Sequence, residues 1–285
     1  IAFRRAPPVL FFFHYNIFLY SLYSLVDIGF SLGYNNYLMS LFKNLFKYRQ
    51  MIAGLVHREI RGRYKGSVLG FLWTFLNPLL QLGVYTLLFS VILNSEVEKY
   101  YIFLFVALVP WMFFSSCLAA GCNSIVASGA MVTKIYFPRE VLPISFVVSA
   151  FVNMLYCFIG VNPVALLYLP VIFAVEFVLC LGVTLLFSAL TVYVRDLAHI
   201  LGILSMLLQF LTPVMYSSNR IPEDLRPIFN LNPMAPVVEC YRAILYYKQV
   251  PDISTLGLAA VSGIVVVVLG QIVFSKLQKG FAEEL

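Results

Sequence analysis

The chain has 285 residues, of which 61% are hydrophobic and only 11% charged, where soluble domains carry about a quarter charged residues. That balance excludes a soluble globular protein. The net charge of +6 does not indicate nucleic-acid binding, because the basic residues form no free domain and lie beside long apolar runs. Those runs come in blocks of about twenty, the length of a membrane-spanning helix. The composition therefore predicts an all-α, polytopic membrane protein.

Residues 1–38 differ in character from the rest of the chain. An aromatic, Ser-rich stretch is broken by His14, Asn16 and Asp27, which makes a stable span doubtful. Met39 opens better-patterned sequence, so residues 1–38 are expected to be a leader or non-native extension, with an N-terminal hairpin or targeting segment as the alternative. Residues 39–66 predict an amphipathic interface helix. At 100° per residue, Lys43, Lys47, Arg58, Arg61 and Lys65 share an arc of about 60°, opposite Phe46, Ile52, Val56, Ile60 and Tyr64. Arg49 and Arg63 point instead toward the apolar side, where they can snorkel or pair. A basic amphipathic helix beside a span lies on the cytoplasmic leaflet among membrane lipids. It serves either as an anchor or as a docking surface for a cytoplasmic partner.

Residues 67–285 predict six spans: Val68–Leu93, with a kink expected at Asn77-Pro78; Tyr101–Gly121; Val141–Val161; Val164–Val194; Leu197–Met215; and Leu256–Phe274. Asn162-Pro163 predicts a tight turn between the third and fourth. The stretch after Met215 is interrupted by Pro222, Pro227, Pro233 and Pro236, which leaves pieces too short to cross and predicts surface or re-entrant helices. With the N-terminus inside, Lys43, Lys47, Arg49, Arg58, Arg61, Arg63, Lys65, Lys134, Arg139, Arg195, Lys276 and Lys279 are cytoplasmic. Only Lys99, Arg220, Arg226, Arg242 and Lys248 are external. This asymmetry places both termini in the cytoplasm.

No catalytic set stands out, and no phosphate-loop sequence is present through which the chain could hold ATP. His14, His57 and His199 lack zinc spacing, and the five cysteines read as packing residues. Glu176 is the one ionisable group well inside a span, where a carboxyl serves either in transport or in a bond to a neighbouring helix. Asn77, Gln81, Asn153 and Gln209 read as interhelical hydrogen-bond partners. A membrane-embedded transferase would need carboxylates or histidines clustered at one membrane face, which the sequence does not supply.

HREIRGRYKGSVLGFLWTFLNPLLQLGVYTLLFSVIL resembles the N-terminal signature of polysaccharide-export ABC permeases. The resemblance continues through FLFVALVPWMFFSSCLAAGCNSIVASGAMVTKIYFPREVLPIS, LLFSALTVYVRDLAHIL and FLTPVMYSSNRIPEDLRPIFNLNPMAPVVECYRAILY, in collinear order from Met39 onward. It implies a subunit that carries no cofactor itself and pairs as a homodimer. Two copies of a separate ABC ATPase would bind ATP, and the dimer would export a lipid-linked glycan (O-antigen, capsule or teichoic acid) across a bacterial or archaeal plasma membrane. Drug or lipid efflux is the alternative within the superfamily. By the same resemblance, Arg58, Glu59, Arg61, Arg63 and Tyr64 would contact the ATPase, and Lys134, Tyr136, Pro138, Arg139 and Glu140 would form a coupling element. Asn232, Pro233, Glu239, Tyr241 and Arg242 would belong to re-entrant helices at the channel mouth, with Trp73, Tyr85, Trp111 and Glu176 along the channel. One departure is a shortening of about ten residues near Gly160–Val164 relative to the family pattern, just ahead of the span that carries Glu176. A neutral polar residue is expected at its position.

Overall fold

Every regular element among the described residues is helical. A backbone in lipid must satisfy its N–H and C=O groups within its own segment, and a helix does so. The computed structural model describes residues 46–93, 97–158, 168–225, 229 and 232–285. The expectations for residues 1–38, for Lys43 and Arg226, for the Asn162-Pro163 turn and for the shortening near Gly160–Val164 lie outside the described residues, as do the side chains of Tyr64 and Arg220.

The order is α1 (Arg49–Tyr64), α2 (Trp73–Thr86, entered through a 3-10 turn at Gly70–Leu72 and prolonged by π-type turns at Leu87–Ile92) and α3 (Tyr100–Ala119). Then come α4 (Gly129–Lys134), α5 (Val141–Cys157), α6 (Leu169–Tyr193) and α7 (Leu197–Leu211), followed by α8 (Met234–Leu245), α9 (Ile253–Leu277) and α10 (Phe281–Glu284). Four stretches, Gly70–Ile92, Tyr100–Asn123, Leu169–Tyr193 and Ile253–Glu284, are long and apolar enough to cross a membrane. The expected third and fifth spans appear as shorter apolar helices, α5 with 17 residues and α7 with 15. The 12 residues of α8 extend about 18 Å, well short of a hydrocarbon core of about 30 Å.

The break between the basic helix and the first long apolar stretch has a local cause. Gly66 and Gly70 both adopt positive φ, 82° and 50°, a backbone that glycine enters without steric cost. Between them the Ser67 hydroxyl accepts from Gly70 N–H at 3.3 Å and from Trp73 Nε1 at 3.0 Å. Pro78 and Pro110 lie inside α2 and α3.

Helices α3 and α6 form the core. Leu104, Leu108, Trp111, Cys117, Leu179, Cys180 and Leu185 are all buried. Helix α9 lies directly on α6, backbone against backbone, where Gly182 and Gly270 face each other. Such close approach is the usual way helices associate in lipid, where no hydrophobic force draws them together. By contrast, α2 and α7 are peripheral: Leu79, Leu80, Val84 and Val91 on one, and Ile203, Met206, Leu207 and Phe210 on the other, are exposed.

Candidate functional site

The residues singled out in the sequence separate into groups at different places in the fold. On α1, Ile52, Leu55 and Val56 are buried, and the helix packs along α5. His57, Arg58 and Arg61 stay exposed on the other side, as the periodicity predicts. Arg63 does point to the apolar side. It donates to Ser149 Oγ at 3.4 Å, lies 5.5 Å from the Phe146 ring centroid and pairs with Glu59 at 3.9 Å. Arg49 is exposed and bonds locally, donating to the Phe46 carbonyl at 3.2 Å. Arg58 and Arg61 therefore face outward, whereas Arg63, paired with Glu59 along α1, fastens that helix to α5.

The expected coupling element also divides. Lys134 is exposed at the end of α4, followed by Ile135 at 57% and Tyr136 at 101% exposure. An aromatic ring held wholly outside the fold, beside a cation, is a protruding apolar tip. Arg139 and Glu140, grouped with it from sequence, turn the other way. Arg139 Nη1 donates to the Gln278 carbonyl, and Gln271 Nε2 donates to Glu140 Oε1 at 2.9 Å. Glu140 is buried, because a lone amide in the apolar run of α9 gives it a partner. Pro138 is half-buried between the two groups.

At α8 a second polar cluster is enclosed by the fold. Asn232 donates to Thr212 Oγ1 at 2.7 Å and accepts from Met234 N–H at 3.1 Å, which fixes the start of α8. Arg242 donates to the carbonyls of Val214 at 2.8 Å and Tyr216 at 3.2 Å, with its guanidinium 3.8 Å from the Phe103 ring centroid. Tyr100 adds a bond to the Met215 carbonyl at 2.7 Å, and Tyr246 one to the Glu98 carbonyl at 2.6 Å. The bonds from Arg242 and Tyr100 satisfy the irregular backbone between α7 and α8, which an apolar setting would otherwise leave unpaired, while Tyr246 ties the end of α8 to the loop before α3. Pro233 and Glu239 are half-buried. Farther along, Asp252 accepts from the Ser254 and Thr255 hydroxyls at the start of α9. The Ser254 bond above all holds its carboxyl below the usual carboxylate range, so this support is present at neutral pH and is lost as pH falls through the lowered value.

Glu176 is fully buried, and Tyr241 of α8 donates its hydroxyl to Glu176 Oε2. Phe158 stacks parallel to Tyr241 with centroids 5.9 Å apart, and Phe173 lies at the same distance. Of the two readings left open by the sequence, this geometry provides the bond to a neighbouring helix. Trp111 is likewise a core residue, tilted on Phe114 at 5.5 Å. Within the single subunit, Trp111, Glu176, Tyr241 and Arg242 are all buried. Tyr241→Phe removes the carboxyl's one hydrogen bond among the described residues and is expected to cost about 1–3 kcal/mol. Glu176→Gln keeps an acceptor there and is expected to cost less than about 1 kcal/mol. Thermal unfolding in detergent measures both, and unchanged melting in Tyr241→Phe would show that this bond adds nothing to stability.

A cavity of about 340 Å³ opens between α2, α3 and α5, and its lining includes Arg63, Trp73, Asn77, Ser116 and Asn153. Thr74 donates to Asn153 Oδ1 at 3.2 Å, and Gln209 donates to the Tyr85 hydroxyl at 3.3 Å. Asn153 and Gln209 are thus interhelical partners, as expected, whereas Gln81 is exposed and Asn77, also exposed, borders the cavity. The five cysteines are free and buried or half-buried. Sequence reasoning missed Gln271, Tyr193 and Phe281, although a single amide amid the apolar residues of α9 was a readable signal for the first.

A bundle of apolar helices, preceded by a basic amphipathic helix and interrupted by a protruding tip and a buried short helix, defines a polytopic membrane protein. The chain belongs to the ABC-2 type transporter family, whose pattern matches residues 50–246. It is 34% identical over 260 residues to the O-antigen export system permease protein RfbA of Myxococcus xanthus, which covers 87% of this chain and all of that one. It is 29% identical over 248 residues to the RfbA protein of Klebsiella pneumoniae, covering 82% and 95%. Similarity extends to the polysialic acid transport protein KpsM of Escherichia coli, at 25% over 238 residues, covering 77% and 90%.

Proposed function

We propose that this chain is the membrane-spanning permease subunit of an ABC transporter that exports a lipid-linked polysaccharide across the plasma membrane. ATP hydrolysis in a separate ATPase subunit drives the export. The observation that carries this reading is the collinear likeness, across 87% of the chain, to an O-antigen export permease. Helices α5 and α7 complete six crossings, α8 is re-entrant on the external side, and both ends lie in the cytoplasm in agreement with the cation asymmetry. Two copies pair, and the exposed apolar faces of α2 and α7 supply surface for lipid and for the second copy. Two ATPase subunits bind the cytoplasmic side. Replacing the native gene with a null allele is expected to remove surface polysaccharide while lipid-linked glycan accumulates inside. Normal surface glycan in that strain would overturn the proposal.

The ATPase docks on the Ile135-Tyr136 tip with Lys134, and on the basic face carrying Arg58 and Arg61. A fully exposed tyrosine is the kind of anchor that dominates an interface once buried. Tyr136→Asp is expected to weaken ATPase association by at least about 2 kcal/mol, roughly thirtyfold. Co-purification of the two subunits at graded salt provides the measurement. Retention of the ATPase at wild-type level would remove the tip from the interface.

A further inference from the structure

Beyond α9 the chain continues as Gln278–Gly280 and α10, and this short strap touches the segment before α5, the end of α6 and the start of α4. Phe281 is fully buried, edge-on to Phe274 at 5.6 Å and tilted on Tyr193 at 6.2 Å, with the Arg139 guanidinium 6.0 Å from its centroid. Arg139 also donates to the Gln278 carbonyl. Tyr193, the last residue of α6, donates to the Leu277 carbonyl at 2.8 Å, and Arg195 donates to the Glu284 carbonyl at 3.4 Å. Leu285 lies over Gly129, at the start of α4. Phe281 thus stands where the segment bearing the Tyr136 tip, the end of α6 and the end of α9 converge.

We infer that the strap Gln278–Leu285, centred on Phe281, is a positioning element that transmits displacement of the Ile135-Tyr136 tip to α6 and α9. The inference rests on the ATPase-docking reading of that tip. Motion reaches a distant site only through packed groups that move together. Here the tip segment is attached to α9 through Arg139, Glu140 and Phe281 rather than through its own exposed residues. Without the strap, the Arg139 and Phe281 links would be lost and the tip segment would hold α9 only through Glu140.

The test uses the full complex of both subunits in proteoliposomes, reading ATP hydrolysis and glycan export separately. Coupling free energies of the usual size correspond to roughly 5- to 150-fold. Phe281→Ala is therefore expected to lower export at least about tenfold while hydrolysis stays within about twofold of wild type. A second variant guards against misfolding. A Cβ on Gly280 would fall 2.5 Å from the Tyr193 hydroxyl. Gly280→Ala is thus expected to uncouple in the same way, and adding Tyr193→Phe to it to restore export. Export unchanged in both single variants overturns the inference, and so does a proportional loss of export and hydrolysis with no rescue in the double variant. The docking reading is scored on its own, by ATPase association of Tyr136→Asp.

Discussion

Gly270→Leu is expected to leave no folded protein in the membrane. A Cβ at position 270 would collide with the Gly182 carbonyl oxygen, and one at 182 with Val267 N and, at 2.6 Å, with Val267 Cα. The atoms met are backbone, so no rotamer change relieves them. The helices must separate, and α9 would lose its seat on α6. Overpacking a core usually costs about 1–3 kcal/mol, and a backbone collision between the two longest helices exceeds that range, at more than about 3 kcal/mol. Gly54→Ala is the control. Nothing lies within 4 Å of a Cβ there, and on an exposed helix the change is expected to be neutral or to stabilise by up to about 1 kcal/mol. Fluorescence-detected gel filtration and melting in detergent separate the two, and a monodisperse Gly270→Leu protein with wild-type melting would contradict the packing described.

The second large effect is expected at Arg242. Its guanidinium bridges two carbonyls on the stretch after α7 while lying on Phe103. Arg242→Met keeps much of the volume but strands both acceptors in an enclosed setting, at about 2–5 kcal/mol. Arg242→Lys is expected to rescue little, because a compact ammonium cannot hold two divergent acceptors and an aromatic face together. The readout is protease accessibility of the 212–225 stretch alongside thermal melting. Wild-type behaviour in Arg242→Lys would mean that charge alone suffices there.

What the sequence made legible was what repeats along one helix. The basic stripe of Arg58 and Arg61, the inward turn of Arg63 and the shortness of α8 all derive from local period, length and proline placement. What it hid was which helix faces which. Arg139 and Glu140 come within four residues of Tyr136, yet one group projects and the other is drawn inward by Gln271 and Gln278, over a hundred residues on. Tyr241 and Glu176 find each other across 65 positions, a pairing that neither residue type nor spacing announces. The seven-residue interval between Gly263 and Gly270 was a visible sign of a close helix contact, because it returns small residues to one face after two turns.

The enclosure of α8 also bears on how the protein is made. A short segment carrying an arginine cannot enter lipid independently, since a central Arg costs about 2.5–3.5 kcal/mol on insertion scales. Its partners Phe103 and Glu176 lie earlier in the chain, so translation delivers the receptacle before the segment that fills it. Seating of α8 then follows the insertion of the helices that receive it.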